Sequence, residues 1–364
     1  MENKILHVVS NMDRGGIETL VLNLNTLMLG SEYTFDYVIH GDDVGHYEKE
    51  LKELHAKIYH FPKFKLVNTL QYIRYWRRFM NCHPEYKIIH CHIRSYASVI
   101  YFAVKRFHLK FIIHSHNTSN GMGLKNKIKD ILQIPFKLNL QNVYRLACSK
   151  DAGDWLFGKK KYYILRNGIL TDNFRFNACV RKQIRTKYGF QNKHVLGHIG
   201  GFRKQKNHMF LLDVFKKYCE QDEDARLVLL GSGDLYDDVI LKSKELHIYD
   251  KITFVGNVSN VHEYMNMFDI FVFPSLNEGL PLVLVEAQMN GLVCIVSDQV
   301  PNEVALTEHL YFLPLNDKNK WCNTIADNID ANRYDATINI KQKGYDLQSS
   351  VEQLKAIYGE LLCK

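Results

Sequence analysis

Short apolar runs rich in β-branched and aromatic residues recur along the chain at 5–9, 35–39, 57–60, 87–91, 111–114 and 145–148, and again at 195–199, 227–230, 252–255, 270–273 and 293–296. Each is bounded by turn residues and predicts a buried strand. Between the runs the apolar positions change to helical spacing; after the first, Ile17, Leu20, Val21, Leu24 and Leu27 mark one side of a helix. Strand and helix alternate in this way throughout, which predicts βα units and parallel sheets. Asn167-Gly168 signals a turn, and the polar stretch 171–193 reads as a passage between two domains. The expected division is 1–170, a first Rossmann-like domain; 171–345, a second; and 346–364, with a helix near 350–362 that packs back on the first. A chain of 364 residues fits two α/β domains of about 170 residues each.

One stretch, 269–291, carries the most specific pattern. Its strand stops at Pro274-Ser275, a polar loop Leu276-Asn277-Glu278-Gly279 follows, Pro281 sits where a first helical turn begins, and Gly291 ends the helix. Free N–H groups at such a helix start favour an anion, and Gly279 lets a ligand approach the backbone. Glu278 and Glu286 can both face that ligand. Carboxylates accept hydrogen bonds from sugar or ribose hydroxyls, so a phosphate bearing hydroxyl-rich groups is expected.

Three more glycine turns precede helices or follow strands. Gly15-Gly16 opens the first helix, where a tight turn explains the glycines as readily as phosphate binding does. Residues 200–207, GGFRKQKN, place Arg203, Lys204 and Lys206 before a helix, which reads as a diphosphate clamp or as a solvated basic loop. Gly231-Ser232-Gly233 follows a strand of the second series.

Composition narrows the class. With 46% hydrophobic and 24% charged residues the chain is an ordinary globular protein, and no apolar run approaches the ~18 to 20 residues that span a bilayer. The first residues read as a strand and not as a signal peptide, so a cytoplasmic protein is expected. Eight scattered cysteines without Cys-x-x-Cys pairs suit reduced thiols. Net charge is +8, but residues 61–166 hold 20 Lys or Arg against four acids, a basic body that suits nucleic acid, anionic lipid or a phosphorylated substrate. Within it, 69–80 mixes Tyr72, Tyr75, Trp76 and Phe79 with Arg74, Arg77 and Arg78, and 124–140 alternates lysines with Ile128, Ile131, Leu132, Ile134 and Phe136. Both predict contact with an anionic membrane, against the alternative of an amphipathic helix with its basic side in water. His90 and His92, and His114 and His116, each fall on one side of an extended chain. No carboxylate cluster accompanies them, so a substrate contact at a strand end is favoured over a metal, with His116 the candidate and His90 and His114 packed in their strands.

Several motifs together resemble the retaining glycosyltransferases of family 4: Gly15-Gly16-x-Glu18, His116-Asn117, Ala147-Cys148-Ser149, Asn167-Gly168-Ile169, Lys206-Asn207, Gly231-Ser232-Gly233, Phe254-x-Gly256, and above all Glu278-Gly279-Leu280-Pro281 with Glu286-Ala287. The likeness is strongest to enzymes that extend lipid-linked sugars for bacterial capsular or exopolysaccharides. It implies the GT-B fold, two facing Rossmann-like domains with an interdomain cleft. It implies that Glu278 touches donor-sugar hydroxyls, that Gly279 and Leu280 approach the diphosphate, that Glu286 holds the ribose, that Asn257 and Val258 meet the base, and that Gly16, beside Gly15, reaches the diphosphate. His116 would contact the sugar and its leaving oxygen, and Lys206 would neutralise the phosphates. The family carries arginine where this chain has Gly201; Arg203 is the substitute expected. No cofactor is implied beyond the nucleotide-diphosphate sugar, expected to be a UDP-sugar, and no metal, in keeping with the lack of an Asp-x-Asp motif near a strand end. The partners implied are a lipid-linked saccharide acceptor and the inner face of the cytoplasmic membrane. The competing readings are a sugar-nucleotide epimerase or phosphorylase of similar shape, a non-catalytic membrane adaptor, and a nucleic-acid-binding module, which lacks any nucleic-acid motif.

Overall fold

The structure, a computed structural model, describes residues 3–13, 15–116 and 124–363, and of 124–126 the backbone only. Arg14, Asn117 and the side chain of Lys125 therefore lie outside the described residues. The chain divides into two compact units, Met1–Gly168 with Asp346–Lys364, and Ile169–Tyr345.

The first unit alternates β1 (Asn3–Val8), α1 (Gly16–Met28), β2 (Tyr33–His40), α2 (Glu48–Glu53), β3 (Ile58–Phe61), α3 (Thr69–Cys82), β4 (Ile88–Cys91), α4 (Ala97–Val104), β5 (Lys110–Ser115), α5 (Leu124–Gln133), β6 (Val143–Ala147), α6 (Lys150–Phe157) and the short β7 (Tyr163–Ile164). Its sheet is parallel, in the order β3-β2-β1-β4-β5-β6-β7. The two-residue side-chain period of a strand sorts this sheet into unlike faces. Leu6, Val8, Ile89, Cys91, Phe111 and Ile113 point into an apolar core with α3, α4 and α6. The alternate positions of the same strands carry buried histidines: His7, His90 and, just past the strand ends, His92 and His116, with His114 between.

The second unit begins with α7 (Thr171–Phe174) and α8 (Ala178–Tyr188), then runs β8 (His194–Ile199), α9 (His208–Tyr218), β9 (Ala225–Leu230), α10 (Tyr236–Glu245), β10 (Ile252–Gly256), α11 (Val261–Met267), β11 (Ile270–Phe273), α12 (Leu282–Met289), β12 (Val293–Ser297), β13 (Leu310–Leu313), α13 (Lys318–Asn328) and α14 (Thr337–Gln342). The sheet order is β10-β9-β8-β11-β12-β13, again parallel, with separate apolar cores on its two faces. The stretch 171–193 is therefore no simple passage. Asn177 accepts hydrogen bonds from the Cys179 and Val180 amides to start α8, and the buried side of that helix combines Ile184 with Arg185, whose Nε donates to the Met267 carbonyl at 2.9 Å. An arginine on the inward face erases the apolar periodicity by which a helix is read. Pro281 proves to be the N-cap of α12, one residue outside the helix. The chain then rejoins the first unit through α15 (Leu347–Cys363), which buries Leu347, Val351, Leu354, Tyr358 and Leu361.

Candidate functional site

In each sheet the chain winds outward in both directions from a pair of central strands, β1 and β4 in the first and β8 and β11 in the second. In open α/β sheets ligands bind at the carboxyl ends of the strands where the order reverses. In the second unit the loops after β8 and β11 meet there and are laced together. The Leu276 amide donates to the Gln205 carbonyl at 2.8 Å, Gln205 Nε2 to the Asn277 carbonyl at 2.5 Å, and Asn207 Nδ2 to the Pro274 carbonyl at 3.2 Å. Asn207 adopts a left-handed backbone (φ +57°) at the turn into α9.

This lacing delivers Lys206 to Glu278. Lys206 Nζ donates to Glu278 Oε1 at 2.7 Å, both side chains being largely buried, and the ammonium lies 4.6 Å from the centre of the Phe273 ring. The lysine stem runs over Gly200, where a Cβ would come within 3.2 Å of it. Gly231 has φ +134°, and a Cβ there would lie 2.2 Å from the Gly200 carbonyl oxygen, so only glycine lets the β9 loop close on the β8 loop. Gly201 needs no glycine for space, since its nearest neighbour would be 3.4 Å away. Instead Arg203 folds back over it, with Nε and Cδ 3.7 and 3.9 Å from the position of that missing Cβ. A guanidinium thus lies beside Gly201 although the side chain starts two residues later.

Glu286 sits on the second turn of α12 and keeps a little accessible surface, yet protein encloses its carboxyl closely enough that burial pushes it up to about 7. No hydrogen bond joins it to Lys206 or Arg203 among the described residues. Asn257 Nδ2 donates to Ser232 Oγ at 2.7 Å, tying the loops after β9 and β10, with half-buried Val258 following. Gly279 and Leu280 are half-buried between Glu278 and α12. The sequence placed Gln205 and Asn207 in the 200–207 loop, and Asn207 in the Lys206-Asn207 motif, but not their role as a latch to backbone carbonyls. Nothing in it singled out His198, buried with Nδ1 2.8 Å from the Val272 carbonyl and Nε2 3.1 Å from where a Gly200 Cβ would be.

In the first unit the β1 loop leads to Gly15, the N-cap of α1, and Gly16, its first residue; no side chain caps the helix. A Cβ at Gly15 would lie 2.3 Å from Glu18 Oε2, so the helix start faces a carboxyl of its own chain, which burial raises. Beyond it stand the histidines. His7 pairs with His90 in the β1–β4 register, and the rings connect as a ladder: His7 Nδ1 to His92 Nε2 at 3.1 Å, His92 Nδ1 to His116 Nε2 at 2.9 Å, and His90 Nε2 to His114 Nδ1 at 3.2 Å. Asn167 Oδ1 lies 3.2 Å from His116 Nδ1, and Tyr358 OH, from α15, 2.7 Å from His90 Nδ1. Burial holds every ring neutral, lowering His7 and His114 to about 3 and His90, His92 and His116 well below the usual imidazole range. His116, expected on substrate, therefore has both ring nitrogens engaged within the fold. His92, His114 and His116, and likewise His7, His90 and His92, bring ring nitrogens within 4.8 Å of one another, the two places among the described residues that could hold a cation. Apart from His114 Nε2, which has no hydrogen-bond partner among the described residues, the ring nitrogens are engaged by one another, by Tyr358 or by Asn167. Among the same residues no carboxylate joins either group to offset a buried divalent charge.

Residues 180–336 match the family described as glycosyl transferases group 1. EpsF of Bacillus subtilis (strain 168), named as a glycosyltransferase, is 32% identical over 98% of this chain and 96% of its own. The UDP-Gal:alpha-D-GlcNAc-diphosphoundecaprenol alpha-1,3-galactosyltransferase of Escherichia coli is 23% identical over 76% of each. Among solved structures, Anabaena HepE in complex with UDP superposes with a TM-score of 0.79 over 98% of this chain and 100% of its own, at 16% identity, a likeness of fold.

Proposed function

Because the chain belongs to the group 1 glycosyltransferases, we propose that it moves a hexosyl group from a UDP-sugar to a hydroxyl of a lipid-linked saccharide in bacterial surface-polysaccharide assembly, with retention at the anomeric carbon and without a metal. The observation that carries this reading is the buried Lys206–Glu278 pair at the β8/β11 reversal, a cation and a carboxylate poised together at a strand-end crevice. In the reaction the bond from the anomeric carbon to the diphosphate breaks and its electron pair leaves with the diphosphate. The acceptor oxygen bonds to that carbon on the same face, and its proton passes to the departing phosphate oxygen. What the protein must supply is charge stabilisation for the diphosphate, which Lys206, Arg203 folded over Gly201, and the Gly279 and Leu280 amides provide. Glu278 accepts hydrogen bonds from the sugar, Glu286 from the ribose, and the Asn257–Val258 loop meets the base. The resemblance implies that, from the first unit, Gly15–Gly16 serve the diphosphate and His116 the sugar. The donor and acceptor classes draw support from the Escherichia coli relative, named for a UDP-sugar donor and a diphosphoundecaprenol-linked acceptor, and from HepE, solved with UDP.

Membrane contact through the first unit belongs to the same reading. Leu66, Val67 and Leu70, at the entry to α3, are 54%, 94% and 72% exposed. Lys63, Lys65 and Arg74 surround them in sequence, with no acid in 61–84. Apolar side chains ringed by cations suit an anionic bilayer at the inner face of the cytoplasmic membrane. The proposal as a whole is tested by melting the protein against a panel of nucleotide sugars. A UDP-sugar at about 100 Kd should stabilise it by about 2.7 kcal/mol; no shift with any nucleotide sugar would refute a donor site.

A further inference from the structure

Asn167 lies in the turn that closes the first unit, 51 residues from His116, and is buried against it. We propose that Asn167 is a positioning residue for the transfer reaction: its side-chain oxygen fixes His116 as the Nδ1–H tautomer, and His92 supports that setting from the opposite side of the ring. The inference rests on the reading above, in which His116 serves the donor sugar.

Geometry dictates the tautomer step by step. An amide oxygen only accepts, so at 3.2 Å from Asn167 Oδ1 the proton is on His116 Nδ1. His116 Nε2 is then a bare acceptor, and the proton in its 2.9 Å bond belongs to His92 Nδ1. His92 Nε2 in turn accepts from His7 Nδ1–H at 3.1 Å. His7 Nε2 faces Tyr358 OH across 3.4 Å, and the same hydroxyl is 2.7 Å from His90 Nδ1. A hydroxyl both donates and accepts, so Tyr358 joins the two rings and the run from Asn167 ends at it. All members stay neutral, as a buried row of imidazoles requires. His114 and Arg94 also face His116 and oppose its protonation. A substrate group that meets this ring therefore meets a lone pair at Nε2, shared with His92, and a proton at Nδ1, shared with Asn167. Which nitrogen carries the proton is decided by the partner of the other one, the usual logic for a functional imidazole.

Histidine-selective 15N labelling of the whole chain, with His116 assigned by its loss in His116→Gln, reads the tautomer directly. Nδ1–H is expected; Nε2–H would mean that Asn167 presents its NH2 group, and would overturn the proposal. Kinetics supply the second readout. Asn167→Leu should lower kcat/KM by roughly ten- to a hundredfold at every pH. Asn167→Asp keeps the acceptor and should retain activity at pH 8, but its carboxylate stabilises the imidazolium, so the acid limb of kcat/KM moves upward into the pH 5–8 range. If both variants keep the wild-type rate and profile while His116→Ala is inactive, Asn167 has no positioning role. If His116→Ala keeps full activity, the role given to His116 falls, and this inference with it.

Discussion

Glu286 titrates where an enzyme works. Its carboxyl is raised from 4.5 to about 7 by burial, so between those values the folded protein holds a proton that the unfolded chain has lost, and stability falls as pH rises through that window. Glu286→Gln removes the effect: at pH 8 it should stabilise the protein by about 3 kcal/mol, and at pH 4 by almost nothing, as read from denaturant midpoints. The ionised form is the better acceptor for ribose hydroxyls, so affinity for a UDP-sugar, whose doubly esterified diphosphate does not titrate here, should rise from pH 6 to pH 8 in the wild type and stay flat in Glu286→Gln. Lys206 is the second residue to test. Lys206→Ala removes the cation proposed for the diphosphate and strands Glu278 in a largely buried position. It should cost about a hundredfold in kcat/KM, or about 2.7 kcal/mol of transition-state stabilisation, while Lys206→Arg recovers part; a wild-type rate in Lys206→Ala would remove the pair from the mechanism.

Among the elements, the histidine-bearing strands β1, β4 and β5 distinguish the two units. His7 and His114 are lowered to about 3, His40 to about 4, and three more rings lie well below their ordinary value. These groups cost nothing above the unfolded value of about 6.5. Below it the unfolded chain binds protons that the fold refuses, and each ring subtracts about 1.4 kcal/mol per pH unit until its own folded value is reached. The second unit buries only His198 and His208 with such shifts among the described residues. At pH 5 amide exchange, corrected for its intrinsic rate, should therefore show β1, β4 and β5 losing protection ahead of β8 and β11; equal loss in both sheets would contradict the ladder's neutrality. For α3, neutralising Arg74, Arg77 and Arg78 to Gln should weaken sedimentation with anionic liposomes, and undiminished sedimentation would exclude that helix from membrane contact. Strand–loop–helix units were legible because apolar runs, turn residues and glycines are local signals. Strand β13 escaped because it is four residues long and only Leu310 and Leu313 are buried, and α8 escaped because it buries an arginine.

For the molecule as a whole, two parallel sheets were readable from the alternation of strand and helix patterns, and their family from motif order. The pairing of Lys206 with Glu278 was not, for it joins loops 72 residues apart, although each residue had been singled out. The histidines were visible as pairs in two strands, but their neutral ladder depends on Asn167 and on Tyr358, 268 residues from His90, and no local pattern announces such partners. Arg203 shows the converse: the departure at Gly201 was plain in sequence, and only the folded chain brings a guanidinium back to it. The central claim is transfer with retention, and it is tested by giving the protein a UDP-sugar and a diphosphate-lipid-linked saccharide and determining product and anomeric configuration by NMR. One UDP released per lengthened acceptor, with the donor's configuration kept in the new bond, is the predicted result. An inverted linkage, or UDP released without a lengthened acceptor, would contradict it.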